Sequence, residues 1–360
     1  MAMLKRVDRL IAASVIASIG MVWLVLVAID GFSALAREVD EIGRGNYSLA
    51  TAVGYIAWTI PRRAYDLFGT ASVIGALLGL GALAPTAELT AMRAGGMSKW
   101  RIAASATGAA ALLCAVTVLM GETIGPYGEH AAQSLAAGAK SNDLIATGRT
   151  GMWAREGTTL INARSGTSTT EGVALSDVRL YEFTDKGQLA RITHADRALH
   201  RAGSWSLTNV LRQTFAADHV DATTAATMAW PSTLDPRLLT LSIVRPRNLS
   251  ASDLATSIEY LRRNQLDTGA YESAYWGRIF YPLNVLALVL AALPFAFGTL
   301  RSGGLGKRIF LGVVVATIWY LLQRAIDNVA AVYLLDHRLV NVVPALLLLA
   351  VALVYFRRAG

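Results

Sequence analysis

The stretch that decides the fold is Leu10-Ile11-Ala12-Ala13-Ser14-Val15-Ile16-Ala17-Ser18-Ile19-Gly20-Met21-Val22-Trp23-Leu24-Val25-Leu26-Val27-Ala28-Ile29. It carries no charge and is as long as the roughly 20 residues a helix needs to cross a bilayer. Five further runs repeat the pattern: Leu67–Ala84, Ile102–Gly121, Tyr275–Leu300, Ile309–Tyr333 and Leu339–Phe356. The spacing predicts six membrane-spanning helices, three before and three after a polar middle. Only 16% of the 360 residues are charged and the mean hydropathy is +0.43, which fits bilayer rather than water as the solvent for most of the chain.

The expected organisation is therefore residues 1–121 with three spans, a soluble insertion over 122–272, and residues 273–360 with three more. The first run follows a basic start and precedes Ser33-Ala34-Leu35-Ala36, which has the look of a cleavable leader. It is longer than a leader's apolar core, so it reads as a retained span. The net charge of +8 does not indicate nucleic acid, because the basic residues flank apolar runs instead of interleaving with aromatics. They indicate orientation. Eleven lie on one side (Lys5, Arg6, Arg9, Arg93, Lys99, Arg101, Arg301, Lys307, Arg308, Arg357, Arg358) and five on the other (Arg37, Arg44, Arg62, Arg63, Arg338). By the positive-inside rule both termini are cytoplasmic and the insertion is exported.

From about 150 to 241 the insertion lacks helical periodicity. Short alternating stretches, Val178–Phe183 and Trp205–Val210 among them, read as half-buried strands. Arg164-Ser165-Gly166, Asp185-Lys186-Gly187 and Ala202-Gly203-Ser204 read as turns between them, and Thr167–Thr170 as a loop. The expectation is an antiparallel β sandwich or open barrel, flanked by helices at Gly128–Leu144 and Ser252–Asn264.

Candidate chemistry is sparse. His194, His200 and His219 with Asp196, Asp218 and Asp221 lack metal-ligand spacing, and the single cysteine, Cys114, can form neither an intrachain disulfide nor a Cys-based metal site. Gly303-Gly304-Leu305-Gly306-Lys307-Arg308 fails as a phosphate loop, since Arg301 stands where the first glycine belongs and no Ser or Thr follows Lys307. No catalytic residue and no metal ligand is expected.

More telling is Pro85–Ser98. Thr86 is placed to cap a short helix that ends at Gly95-Gly96 and carries Glu88, Leu89, Met92 and Arg93. It lies either on lipid or in a groove of a cytoplasmic partner. Ionisable residues inside spans are costly, about 2.5 to 3.5 kcal/mol each. Asp30 and the group Gln323, Arg324, Asp327 and Asn328 are therefore either local pairs, Arg324 with Asp327 at i,i+3, or a polar lining for an amphiphile, with Arg37, Arg44, Arg62 and Arg63 as a basic rim. Gly75-Ala76-Leu77-Leu78-Gly79 marks a close helix contact in span two, with a neighbour inside or outside the chain.

Several of these segments together resemble the lipopolysaccharide-export permeases, the LptF/LptG family, and within it the LptG type. They are Val7-Asp8-Arg9, Leu77–Gly81, Ala87-Glu88-Leu89, Met92–Gly96, Gly121-Glu122, Pro126-Tyr127-Gly128-Glu129, Gly151-Met152-Trp153 and Trp276–Leu283. The resemblance implies an inner-membrane transporter half that binds no cofactor itself. ATP, with magnesium, would be hydrolysed by a cytoplasmic LptB dimer, and the partners would be the sister permease LptF, LptC and periplasmic LptA. Lipopolysaccharide would pass to LptA through jellyroll-like β domains. The helix at Glu88 would couple to LptB, and Arg37 and Arg44 would meet lipid phosphates, with spans one and five as gates. The sequence departs from the family pattern at Ala34, Asp40, Glu41, Gln133 and Ala136, and at Tyr333-Leu334-Leu335-Asp336. The rival readings are a membrane-anchored scaffold whose β domain recruits envelope-assembly partners, and an intramembrane lipid-modifying enzyme.

Overall fold

A computed structural model describes residues 2–43, 46–83, 87–140, 152–169, 172–184, 186–201, 204–216, 219–232, 245–297, 305–333 and 335–359. Arg44, Thr86, Asp218 and Gly303-Gly304, named above, lie outside these residues. The chain divides into two compact units, one of residues 1–43, 47–138 and 269–360 and one of residues 44–46 and 139–268.

The first unit is helical. Its elements are α1 (Ala2–Glu38), α2 (Leu49–Ala82), α3 (Glu88–Ala94), α4 (Lys99–Glu122), α5 (Ile124–Lys140), α7 (Gly269–Ile279), α8 (Tyr281–Phe297), α9 (Leu305–Tyr333) and α10 (His337–Ala359); α6 (Ala251–Arg263) belongs to the second unit. Among the described residues five helical stretches are long and apolar enough to cross a membrane, and α7 with α8, bent by 55°, make a sixth when taken as one span. The chain is a multi-pass membrane protein.

The fourth span is thus a broken helix where the sequence suggested one continuous rod. The break falls at Phe280, two residues before Pro282, whose ring cannot donate to the Arg278 carbonyl and is tolerated at a new helix start. Span two starts well before Leu67, because Ser48 caps α2 in a reciprocal box with Thr51. Arg62 and Arg63 consequently sit inside a helix and not in the loop assumed for the charge count.

α1 and α2 pack closely because α2 offers glycines. A Cβ on Gly79 would fall 2.7 Å from the Val15 Cα, and one on Gly75 would collide with the Ile19 backbone. The neighbour left open by the sequence is therefore α1 of the same chain. Ser14 Oγ donates to the Gly79 carbonyl at 2.8 Å and Trp23 Nε1 to the Ala64 carbonyl at 2.7 Å. Ile11, Val15 and Ile19, four apart, are fully buried on this seam, while Met21, Leu24 and Phe32 on other faces of α1 are more than two-thirds exposed. α2, α4 and α8 close the core around Phe68, Leu77, Ile102 and Leu293.

The second unit holds a six-stranded antiparallel sheet, β1 (Met152–Glu156), β2 (Thr159–Thr169), β3 (Gly172–Phe183), β4 (Leu189–Arg201), β5 (Ser204–Phe215) and β6 (Val220–Trp230), each strand paired with the next. The expected strands Val178–Phe183 and Trp205–Val210 lie in β3 and β5. Arg164-Ser165-Gly166 and Thr167–Thr169 are not turn and loop. They continue β2, with Gly166 opposite Leu175 and Thr167 opposite Ala174, as β-branched Thr favours.

A line of unpaired positions crosses the sheet: Arg164, Asp177, Asp196, Asn209 and Ala226 all drop out of the strand register. Asp177 and Asn209 adopt left-handed backbone there, at φ 47° and 54°. The register is the same on both sides of this line, so no residue is inserted; the side chains switch face across it, and the inward positions on either side are three apart: Leu175 and Val178, Ala198 and Ala195, Leu207 and Val210. The sheet thereby keeps one continuous apolar face over Trp205, Leu207, Val210 and Trp230. α6, capped by Ser250, joins this unit through Tyr260. Its hydroxyl donates to the Arg155 carbonyl at 2.8 Å and accepts from the Arg155 N–H at 3.2 Å. Burial pushes the Tyr260 hydroxyl above its ordinary pKa.

Candidate coupling helix and membrane-embedded polar sites

α3 is a two-turn helix of seven residues. It is preceded by Ala87 in the left-handed region, with no side-chain cap, and closed by Gly95 and by Gly96 at φ 86°. The Gly95 and Gly96 N–H groups return to the carbonyls of Ala91 and Arg93 at 2.8 and 3.0 Å. Leu89 is buried, and Met92 packs beside it against the bundle core. These two side chains anchor α3, and its outer face presents Thr90, Ala91, Arg93 and Ala94. Glu88 is half-buried, and its Oε2 meets no donor among the described residues. On the same side of the bundle Asp8 fixes α1 to α4, accepting from Arg101 at 3.0 Å and from Ser105 at 2.8 Å.

The basic residues expected to form one rim are not gathered. Arg63 donates to Asp30 at 2.6 Å, a bond from α2 to α1 that neutralises both charges. Arg62 faces the other way. It is buried, pairs with Asp66 at 2.9 Å and lies 5.1 Å from the Tyr65 ring centre. Arg37, in the last turn of α1, is exposed. Next to it the open face of α1 and the start of α2 enclose an apolar groove of 750 Å³, lined by Trp23, Leu24, Phe32 and Ile56 among others.

In the fifth span, α9, the group Gln323, Arg324, Asp327 also separates. Arg324 donates to the Tyr320 hydroxyl at 2.9 Å instead of pairing with Asp327, which lies exposed. Tyr320 sits one turn back on the same face, and its ring offers the guanidinium a second contact at 5.9 Å. Gln323 turns inward to Asn284 of α8 at 3.0 Å, and Asn284 donates to the Asn341 carbonyl of α10 at 3.2 Å. These amides tie the last three spans together by hydrogen bonds that lipid cannot replace.

A second polar knot was not singled out from the sequence. Arg278 of α7, with a side chain only 5% exposed, reaches Glu122 at the end of α4 at 2.5 Å and the Gly121 carbonyl at 3.2 Å. Its guanidinium lies 5.6 Å from the Tyr65 ring centre, and Tyr65 stacks on Tyr281 at 4.3 Å. The Tyr281 hydroxyl closes the knot on the Tyr65 carbonyl at 2.8 Å. The available signal was the lone charge of each apolar run, Glu122 ending one and Arg278 opening another.

In the β unit, His194 and Asp177 bind each other at 2.8 Å and Arg164 joins Asp177 at 2.9 Å. The hydrogen bond with His194, with Arg179 and Arg164 beside it, holds the Asp177 carboxyl below its ordinary range. His200 instead tilts against Trp205, with ring centres 5.0 Å apart.

Two groups of spanning helices separated along the chain by an inserted β unit, with an ordered short helix between spans two and three, define a polytopic membrane protein. Comparison with known sequences carries the assignment further. The family described as "Lipopolysaccharide export system permease LptF/LptG" matches residues 9–358, so the chain belongs to that family. It is similar to the lipopolysaccharide export system permease protein LptG of Haemophilus influenzae, 31% identical over 350 residues that cover 96% of each chain. The LptG protein of Escherichia coli K12 is 28% identical over 331 residues, 91% of each.

Proposed function

We propose that this chain is one permease half of an ATP-driven exporter in a bacterial inner membrane, with both termini cytoplasmic and the β unit periplasmic. It pairs with the sister permease LptF, is driven by an LptB ATPase dimer and works with LptC. It draws lipopolysaccharide from the membrane and passes it through the β unit to LptA, toward the outer membrane. The chain itself hydrolyses nothing. ATP and magnesium belong to LptB.

The observation that carries this reading is the family match over nearly the whole chain, which includes the α3 segment. The geometry of α3 supports a coupling role, because Leu89 and Met92 hold it to the spans while Arg93 and the edge of Glu88 face outward. A push on this helix reaches the bundle core through Leu89 and Met92. The open apolar face of α1 and the adjacent groove support lipid contact, with exposed Arg37 placed to meet a phosphate. Asp30 and Arg63 serve as a strut between α1 and α2, while buried Arg62 pairs with Asp66 inside α2.

The test is purification of the chain with its co-expressed partners, followed by reconstitution into vesicles holding lipopolysaccharide. An ATPase dimer and a second permease should co-purify, and ATP should release lipopolysaccharide to a soluble LptA acceptor. Glu88→Ala should weaken ATPase association while membrane insertion is kept. Lipid release without ATP, or a chain that purifies alone, would reject the proposal.

A further inference from the structure

α9 and α10 are consecutive spans, yet α9 packs on α2 and α10 on α8. A groove of 510 Å³ is left between them, lined by Trp319, Leu322 and Ile326 on one wall and Leu339, Val343 and Leu347 on the other. Pro344 lies in this wall, and its ring cannot donate to the Val340 carbonyl one turn earlier. The groove runs along α10 from Asp336 to Val351. At 1.5 Å per residue that is about 22 Å, longer than the roughly 15 Å depth of one leaflet's hydrocarbon.

Its lining is apolar except at one end. Asp336, an exposed carboxylate, is the only charged residue among the described residues lining it. One Asp336 oxygen accepts the Arg338 N–H at 2.8 Å. Exposed Arg338 lies at the same helix end, its guanidinium 4.6 Å from the Trp276 ring centre. Arg338 turns to Trp276 and does not line the groove, so the mouth presents one acid, Asp336, at the end of a slot as long as an acyl chain.

Within a bilayer the hydrophobic effect does not separate groove from lipid. An empty slot loses dispersion contacts along its whole length, so a chain fills it, and the choice among lipids falls to the charge at the mouth. We propose that the groove between α9 and α10 is a binding site for one acyl chain of a bilayer phospholipid with a zwitterionic amine headgroup, whose ammonium meets Asp336. An anionic glycerol headgroup would leave Asp336 opposed by a like charge. A quaternary amine would lose the N–H donors.

The test uses the full chain in nanodiscs with equal phosphatidylethanolamine, phosphatidylcholine and phosphatidylglycerol, extracted mildly and weighed by native mass spectrometry. Phosphatidylethanolamine should be retained over the others by about two- to fivefold, the range of one exposed charged contact. Asp336→Asn should abolish the preference. Val343→Trp should displace the retained lipid, and Leu347→Trp, one turn further on, should do so independently. Equal retention of the three lipids by the native chain, or a preference that survives Asp336→Asn, would overturn the headgroup assignment. Undiminished retention in both tryptophan variants, or recovery of lipopolysaccharide in place of phospholipid, would overturn the site.

Discussion

Arg278 and Glu122 form a 2.5 Å ion pair that joins the first half of the broken fourth span to the end of the third. Burying two charges costs several kcal/mol each, and their mutual attraction repays this only when the remaining donors are satisfied. Here the Gly121 carbonyl and the Tyr65 ring face supply part of that satisfaction. The pair therefore fixes which helices meet more than it adds to net stability.

Removing Arg278 takes away the 2.5 Å partner of Glu122, whose side chain is 27% exposed. Arg278→Ala is expected to cost about 1.5 to 3 kcal/mol, the range of a hydrogen bond to a charged group, seen as a lowered midpoint of thermal unfolding in detergent. Arg278→Met with Glu122→Gln together should recover a good part of that loss. A double variant no better than the worse single one would show that the charges do not act as a unit.

The α1–α2 seam depends on the absence of side chains at two positions. Gly75→Val and Gly79→Val should each destabilise by about 1 to 3 kcal/mol, the cost of overpacking, because the new Cβ atoms meet the backbone of Ile19 and Val15. Gly20→Ala, with nothing within 4 Å, should be neutral. Equal midpoints for all three would mean that the helices do not approach here.

α3 separates anchoring from docking. Leu89→Ala removes a buried side chain and should lower stability by about 2 kcal/mol or more. Arg93→Ala, on an exposed face, should leave stability within about 0.5 kcal/mol while it reduces ATPase association in pull-down. Loss of association through Leu89 alone would place the docking contact elsewhere.

Much of this was legible because lipid is a strict solvent. An uncharged run such as Leu10–Ile29 has one stable use, and the two-residue alternation of Val178–Phe183 has another. What escaped the sequence were the facts that need a third dimension. Pro282 breaks span four, but its effect on Arg278 appears only once α7 swings toward Glu122. Arg62 and Arg63 are adjacent in sequence, and a helix turn sends one to Asp66 and the other to Asp30. The β unit misled locally for a related reason. Arg164-Ser165-Gly166 has turn composition, yet it continues β2 through the line where the side chains of the sheet switch face.

That line has its own pH signature. Asp177 sits in it with left-handed backbone, bonded to His194 and flanked by Arg164 and Arg179. Its carboxyl is held below its ordinary range, so the folded state binds that proton more weakly than the unfolded chain, whose value is about 3.9. The resulting stabilisation is complete above that value and is lost as the pH falls through the lower folded one. Asparagine tolerates the same backbone region, so Asp177→Asn removes the charge without the strain. The substitution should cost about 1 kcal/mol near pH 7, given partly exposed partners, and the cost should shrink toward zero below about pH 3. Amide hydrogen exchange in β3 and β4, compared between variant and native chain at each pH, measures it directly. A difference that stays constant down to the acid limit would show that Asp177 contributes shape alone.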